Sequence, residues 1–71
     1  MNQDNEAYAL ADDMIIGADA IAWFLLKDRK KRRRIYYLAE KTKLPIFRFG
    51  SRIAARKSVL IAWIKSQEDD R

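Results

Sequence analysis

The sequence predicts a small α+β domain, mainly α, and three observations predict it. The chain has 71 residues, enough for one compact domain. Apolar residues recur at helical spacing in three separate stretches. Between the second and third stretch, the segment IFRFGSRIAAR alternates in character around a central Gly50-Ser51.

The first helix starts after Gly17. In GADAIAWFLL, residues Ala18, Ile21, Ala22 and Leu25 fall at i, i+3, i+4 and i+7, the stripe of an amphipathic helix. Gly17 is an acceptable N-cap, and Asp19 in the first turn suits the positive end of the helix dipole. Trp23, Phe24 and Leu26 add more apolar surface than one stripe requires, so this helix is expected to pack on two sides.

Seven of the eight residues from Lys27 to Arg34 are basic, and the run leads directly into IYYLAEK. Ile35, Leu38 and Ala39 share one helical face, which at ~100° per residue turns Arg33, Tyr37, Glu40 and Lys41 outward. Extending that helix backward would aim Lys31 at the core. It therefore begins near Lys31 or Arg32, with Lys27 to Lys30 as the preceding turn, and it ends before Pro45, which pushes Leu44 out of the helical region.

After Pro45 the period becomes two. Residues 46–49 and 52–56 are predicted strands joined by the Gly50-Ser51 turn, with Phe47, Phe49, Ile53 and Ala55 on an apolar face and Arg48, Arg52 and Arg56 on the other. A third helix follows with Ser58 as N-cap and Leu60, Trp63, Ile64 and Gln67 at helical spacing. Trp23, Phe47, Phe49 and Trp63 are expected in the core. Residues 1–13 read as a flexible acidic arm, 14–67 as the domain and 68–71 as a flexible tail.

The totals narrow the chemistry. With neither cysteine nor histidine, the chain lacks the usual transition-metal ligands, Cys nucleophiles and His bases, so no enzyme and no cofactor is expected. The N-terminus is polar and acidic where a secretory leader would be basic and then apolar, and no apolar run approaches the roughly 20 residues of a membrane span. A cytoplasmic, nucleoid-associated location without membrane contact is the expectation. A domain of this size buries only about 60% of its unfolded surface, so modest stability is expected unless a partner adds to it.

The net charge of +5 is unevenly placed. Residues 1–26 carry five acids and no base, residues 27–57 carry thirteen bases and two acids, and residues 58–71 carry two bases and three acids. Such concentration in one segment is the footprint of a polyanion-binding face. Helix, turn, basic helix, arginine-bearing hairpin and helix is the order of a small winged helix-turn-helix, three helices with a two-stranded hairpin wing, in which the second helix enters a major groove of double-stranded DNA.

Residues 34–64, RIYYLAEKTKLPIFRFGSRIAARKSVLIAWI, resemble the short excisionase-type and related MerR-like helix-turn-helix proteins. Tyr36, Leu44-Pro45, Arg48-Phe49-Gly50, Arg52, Leu60 and Trp63-Ile64 match that pattern, and GADAIAWFL looks like its first helix. The chain departs from it between the helices, where LKDRKK replaces a shorter Gly-containing turn. The resemblance implies an excisionase, or recombination directionality factor, that binds repeated sites cooperatively and bends DNA for an integrase of the tyrosine or serine recombinase class. A transcriptional regulator of a mobile element is the alternative it leaves open.

Among site residues, Arg33 and Arg34 are expected at guanine edges, with phosphate contact equally open for Arg34. Tyr37 points outward beside Arg33 and Tyr36 is expected to pack partly on the wing. Lys27, Arg29, Lys30, Lys31 and Arg32 are expected to neutralise phosphate. Arg48, Ser51 and Arg52 lie where a wing meets the backbone or minor groove, while Arg56 either joins them or bonds the start of the last helix. Acids at Asp4, Glu6, Asp12, Asp13 and Asp19 opposite this basic flank suggest head-to-tail self-association along DNA. Structured RNA, or a protein-only partner reading the acidic arm with Trp23 or Phe24, are the rival classes.

Overall fold

The computed structural model describes residues 10–69. Residues 10–13 are helical and lead into β1 (Met14–Ile16), followed by α1 (Ala18–Leu26), a 3-10 turn (Arg29–Lys31), α2 (Arg32–Lys41), β2 (Ile46–Phe49), β3 (Arg52–Arg56) and α3 (Lys57–Asp69). The three strands form one antiparallel sheet in the order β1-β3-β2. The result is a small α+β winged-helix-like fold, mainly helical. Among the described residues no helix is long and apolar enough to cross a membrane.

The expected bounds of α1, α2 and the two hairpin strands hold, because each rests on a local signal. Ile21 and Ala22 of α1, Ile35 of α2, Ala55 of β3 and Leu60 of α3 are fully buried, and Ala18, Leu44 and Ile53 complete the cluster. No polar or charged residue among those described is buried, so the basic segment stays entirely at the surface.

Local chemistry closes each element. Thr42 ends α2: its hydroxyl donates to the Leu38 carbonyl at 2.5 Å and accepts from the Leu44 N–H at 3.1 Å, drawing Leu44 into the core. The Ile46 N–H then donates to the Leu44 carbonyl at 2.8 Å across Pro45, a three-residue turn compatible with the fixed φ of proline. At the hairpin tip Gly50 has φ +66° while Ser51 does not share the positive φ, the pattern of a type II′ turn.

Four expectations require correction. The sheet has three strands, since Met14–Ile16 pairs with Ala54, Ala55 and Arg56, and the Gly17 N–H extends the ladder to the Ile53 carbonyl at 2.7 Å. Three residues show too short an alternation to be read as a strand, and their partners lie some forty residues away. Phe47 and Phe49 are exposed because they pair with Ala54 and Arg52, on the sheet face away from Ile46, Ile53 and Ala55, and Arg48, which pairs with Ile53, lies on the opposite face from Arg52 instead of sharing one with it. Trp23 is 47% exposed, and Leu26 is exposed beside it: α1 buries one broad face that includes part of Phe24. Trp63, by contrast, packs half-buried against the core.

The fourth correction concerns both ends of the domain. Ser58 is not the N-cap of α3, which starts one residue earlier at Lys57, and residues 10–13 are helical. Asp13 caps α3 from outside: one carboxylate oxygen accepts from the Ser58 N–H at 2.9 Å, the other from the Ser58 hydroxyl and, at 3.1 Å, from Arg56 Nε. A negative group there also complements the helix dipole. The domain thus includes Asp13 at one end and reaches Asp69 at the other. Residues 1–9 and 70–71, most of the expected arm and part of the tail, lie outside the described residues.

This cap has a pH signature. The Ser58 hydroxyl holds the Asp13 carboxyl below its ordinary value, partial loss of hydration opposes it, and the Ser58 N–H and Arg56 add to the lowering. With a folded pKa below the unfolded one, the contribution is fully present above about pH 4 and lost as the pH falls through the folded pKa. Wild type is therefore expected to lose more of its Tm than Asp13→Asn between pH 5 and pH 2. Parallel Tm curves for the two proteins over that range would refute the assignment.

Candidate nucleic-acid interface

The turn between α1 and α2 is built from Lys27 to Lys31. Lys27 caps α1 in the left-handed region, at φ 57°, with its N–H on the Trp23 carbonyl at 3.0 Å. Glycine usually fills this position, and a side chain there costs roughly 1 kcal/mol or more. Asp28 is extended and accepts from the Lys30 N–H at 3.0 Å, starting the 3-10 turn. The long turn is thereby an ordered ramp into α2, which begins at Arg32 as the periodicity predicts.

Arg32, Arg33 and Arg34 occupy the first turn of α2, with no acid in that turn and no side-chain cap at Lys31. Cations at a helix N-terminus face the positive end of the dipole, costing several tenths of a kcal/mol each at the surface. Their placement is unfavourable for the isolated helix and favourable for an anion laid across it. Arg33, Tyr37, Glu40 and Lys41 are exposed on the face opposite Ile35, as the helical spacing requires. Tyr36, 53% exposed, stands on the flank and lines a cleft with Arg32, Ser51 and Arg52, so the start of α2 and the hairpin tip meet there.

The other basic residues divide into two groups. Lys30, Lys31 and Arg34 are exposed along the turn and α2, and Arg48 is exposed on β2. Lys27 and Arg29 instead flank the exposed Trp23 ring, at 5.2 and 5.8 Å from its centre, a cation–π arrangement that also explains why an exposed tryptophan is tolerated. Arg29 and Arg52 each approach Asp19, at 3.7 and 3.9 Å. Arg56 lies at the opposite end of β3 from the hairpin tip, roughly 13 Å along the strand from Arg52, and is bonded to Asp13. Of its two readings, the bond near the start of α3 is the one observed.

The structure therefore brings Arg32, Tyr36, Ser51 and Arg52 together around one cleft between the start of α2 and the wing, while Arg33, Arg34 and Tyr37 are exposed on α2 itself and the Lys27–Lys31 turn leads into it. Asp13 and Asp19 are engaged within their own chain, which leaves Asp12 as the exposed member of the acidic set among the described residues. Sequence reasoning missed Asp19 as part of this surface; its only local signal was a first-turn acid, which reads as a helix stabiliser. Compared with protein-family models, with characterised proteins and with solved structures, the chain matches none.

Proposed function

We propose that this protein binds duplex DNA, with α2 in the major groove and the β2–β3 hairpin against the neighbouring phosphate strand. The observation that carries the reading is the run of arginines at the positive end of α2, exposed and without an acid in that turn. A sequence selected for stability alone would place carboxylates there. Exposed Arg48 and the tip residue Ser51 extend the basic surface onto the wing, the two-point grip of a winged helix.

One helix and one wing make a small footprint, so useful specificity calls for several copies on adjacent sites. This fits the role implied by the excisionase-type resemblance: a recombination directionality factor that assembles cooperatively beside an integrase and bends the DNA between them. With Asp13 bonded to Ser58 and Arg56 and Asp19 facing Arg29 and Arg52 of its own chain, a head-to-tail contact in such an array would draw on Asp12 and the segment before it.

The test uses a duplex site selected from a random pool. Arg33→Ala is expected to reduce discrimination between that site and random duplex by ~1–3 kcal/mol, the value of a bidentate guanine contact. Lys30→Ala should weaken both duplexes alike, as a phosphate contact does. Equal losses on both duplexes for Arg33→Ala would remove it from the groove, and tighter binding to structured RNA than to any duplex would replace the reading.

A further inference from the structure

Asp19 has an unusual position for an acid, between arginines of two separate segments. It stands in the first turn of α1, with Oδ2 3.7 Å from Arg29 Nη1 and Oδ1 3.9 Å from Arg52 Nη2. Those arginines come from separate parts of the basic surface, the turn before α2 and the start of β3. Both pairs are too long for hydrogen bonds and both are open to water, with Asp19 itself 45% exposed. Contacts of this kind are weak and readily exchanged.

The carboxylate also borders a cleft of about 240 Å3 between α1, α2 and the hairpin tip, lined by Arg32, Tyr36, Ser51 and Arg52. Gly17 forms part of the cleft wall beside Asp19 and Arg52. Gly17 has φ +102°, and a methyl group at that position would collide with the Arg52 guanidinium and come within 2.9 Å of Asp19 Oδ1. A side chain at this positive φ would be strained and would push the flexible Arg52 guanidinium off its present position beside Asp19.

A carboxylate and a phosphodiester each spread one negative charge over two terminal oxygens. The donors around this cleft, two guanidinium groups and two hydroxyls, match the second as well as the first, and offer a phosphate more partners than Asp19 now uses. We propose that the cleft is the seat of one backbone phosphate of bound duplex, and that Asp19 holds the place of that phosphate in the free protein. Asp19 is then an autoinhibitory contact that DNA displaces, tempering indiscriminate attachment to polyanions. The inference rests on the DNA-binding reading above.

The test walks a single uncharged methylphosphonate linkage along each strand of the selected duplex. At one position, neutralising the phosphate is expected to weaken wild type about 10-fold and Arg52→Ala little. Asp19→Asn should tighten binding to the unmodified duplex about 3- to 10-fold at low salt, the range expected when two exposed ion pairs are removed. That gain should vanish on the duplex neutralised at the critical position, and in the Arg52→Ala background. Asp28→Asn, which makes the same change in net charge and keeps an acceptor for the Lys30 N–H, serves as control and is expected to retain its smaller gain throughout.

Circular dichroism melting of each variant verifies folding. Equal gains from Asp19→Asn in both arginine backgrounds and on both duplexes would mean long-range charge alone and overturn the cleft assignment. Salt-dependent binding with no Arg52-coupled phosphate overturns it while leaving duplex recognition intact, whereas a wild-type protein that binds no duplex at low salt overturns both.

Discussion

Raising monovalent salt from 50 to 200 mM is expected to weaken duplex binding by roughly 10³-fold, the loss for ~6 phosphate contacts with a log–log slope near −0.9 per contact. Lys30, Lys31, Arg32, Arg34, Arg48 and Arg52 supply such a set, all exposed and grouped around α2 and the wing. Arg56 is not counted, because Asp13 already holds it. Fluorescence anisotropy over a salt series reads the slope directly. Binding that changes less than about 10-fold over this range would show that the basic surface is not the site of contact.

Ile35→Ala should have the largest effect on the fold. Ile35 is fully buried and is the residue by which α2 enters the core, facing Ile21 and Ala22 of α1 and the cluster built from Ile53, Ala55 and Leu60. Truncating a buried isoleucine to alanine costs ~2–5 kcal/mol through lost transfer energy and the cavity left behind. A domain of this length has only about 4–10 kcal/mol in total, at 0.05–0.15 kcal/mol per residue. Much of the variant should therefore be unfolded at 37 °C, and Ile35→Val, at ~0.5–1.5 kcal/mol, should not be. Urea titration separates the two; a loss below about 1 kcal/mol for the alanine variant would mean that α2 is not anchored through Ile35. Adding duplex should recover part of the folded population by mass action, because only the folded state presents α2 and the wing together.

These two effects share a cause visible in one ten-residue helix. In Arg32–Lys41 the inward residue Ile35 sets the orientation, and the outward residues Arg33 and Tyr37 follow from it by geometry alone. Shifting the hydrophobic register by one residue would turn Arg32 or Arg34 into the outward centre. For that reason the inward face of α2 and the charge it presents were both legible in the linear sequence.

The hairpin shows a different relation. Alternation from Ile46 to Arg56 identified both strands and the Gly50-Ser51 turn, and expecting phenylalanine inward followed residue type. Yet a two-residue turn pairs Phe49 with Arg52 and therefore Phe47 with Ala54, and cross-strand partners share a face. The turn length thus already contradicted placing Phe47 and Phe49 opposite Arg52. Register, fixed by the turn length, outranks residue type in deciding which face a side chain takes.

By itself the sequence determined the helical and hairpin segments, their order, the concentration of positive charge around α2, and the outward face of that helix. Each depends on residues within a few positions of one another, where dihedral preference and side-chain spacing act. Tertiary structure alone decided that Met14–Ile16 joins the sheet, that Asp13 caps α3 and ties down Arg56, that Asp19 stands between Arg29 and Arg52, and that Trp23 rests between two cations at the surface. Most of these contacts join groups more than thirty residues apart, whereas Trp23 lies outside because it stands about 200° around α1 from the fully buried Ile21. Chain separation hides such pairings from any local pattern, since their stability comes from a sheet edge, a helix end or a charge that exists only once the distant segment has folded beside it.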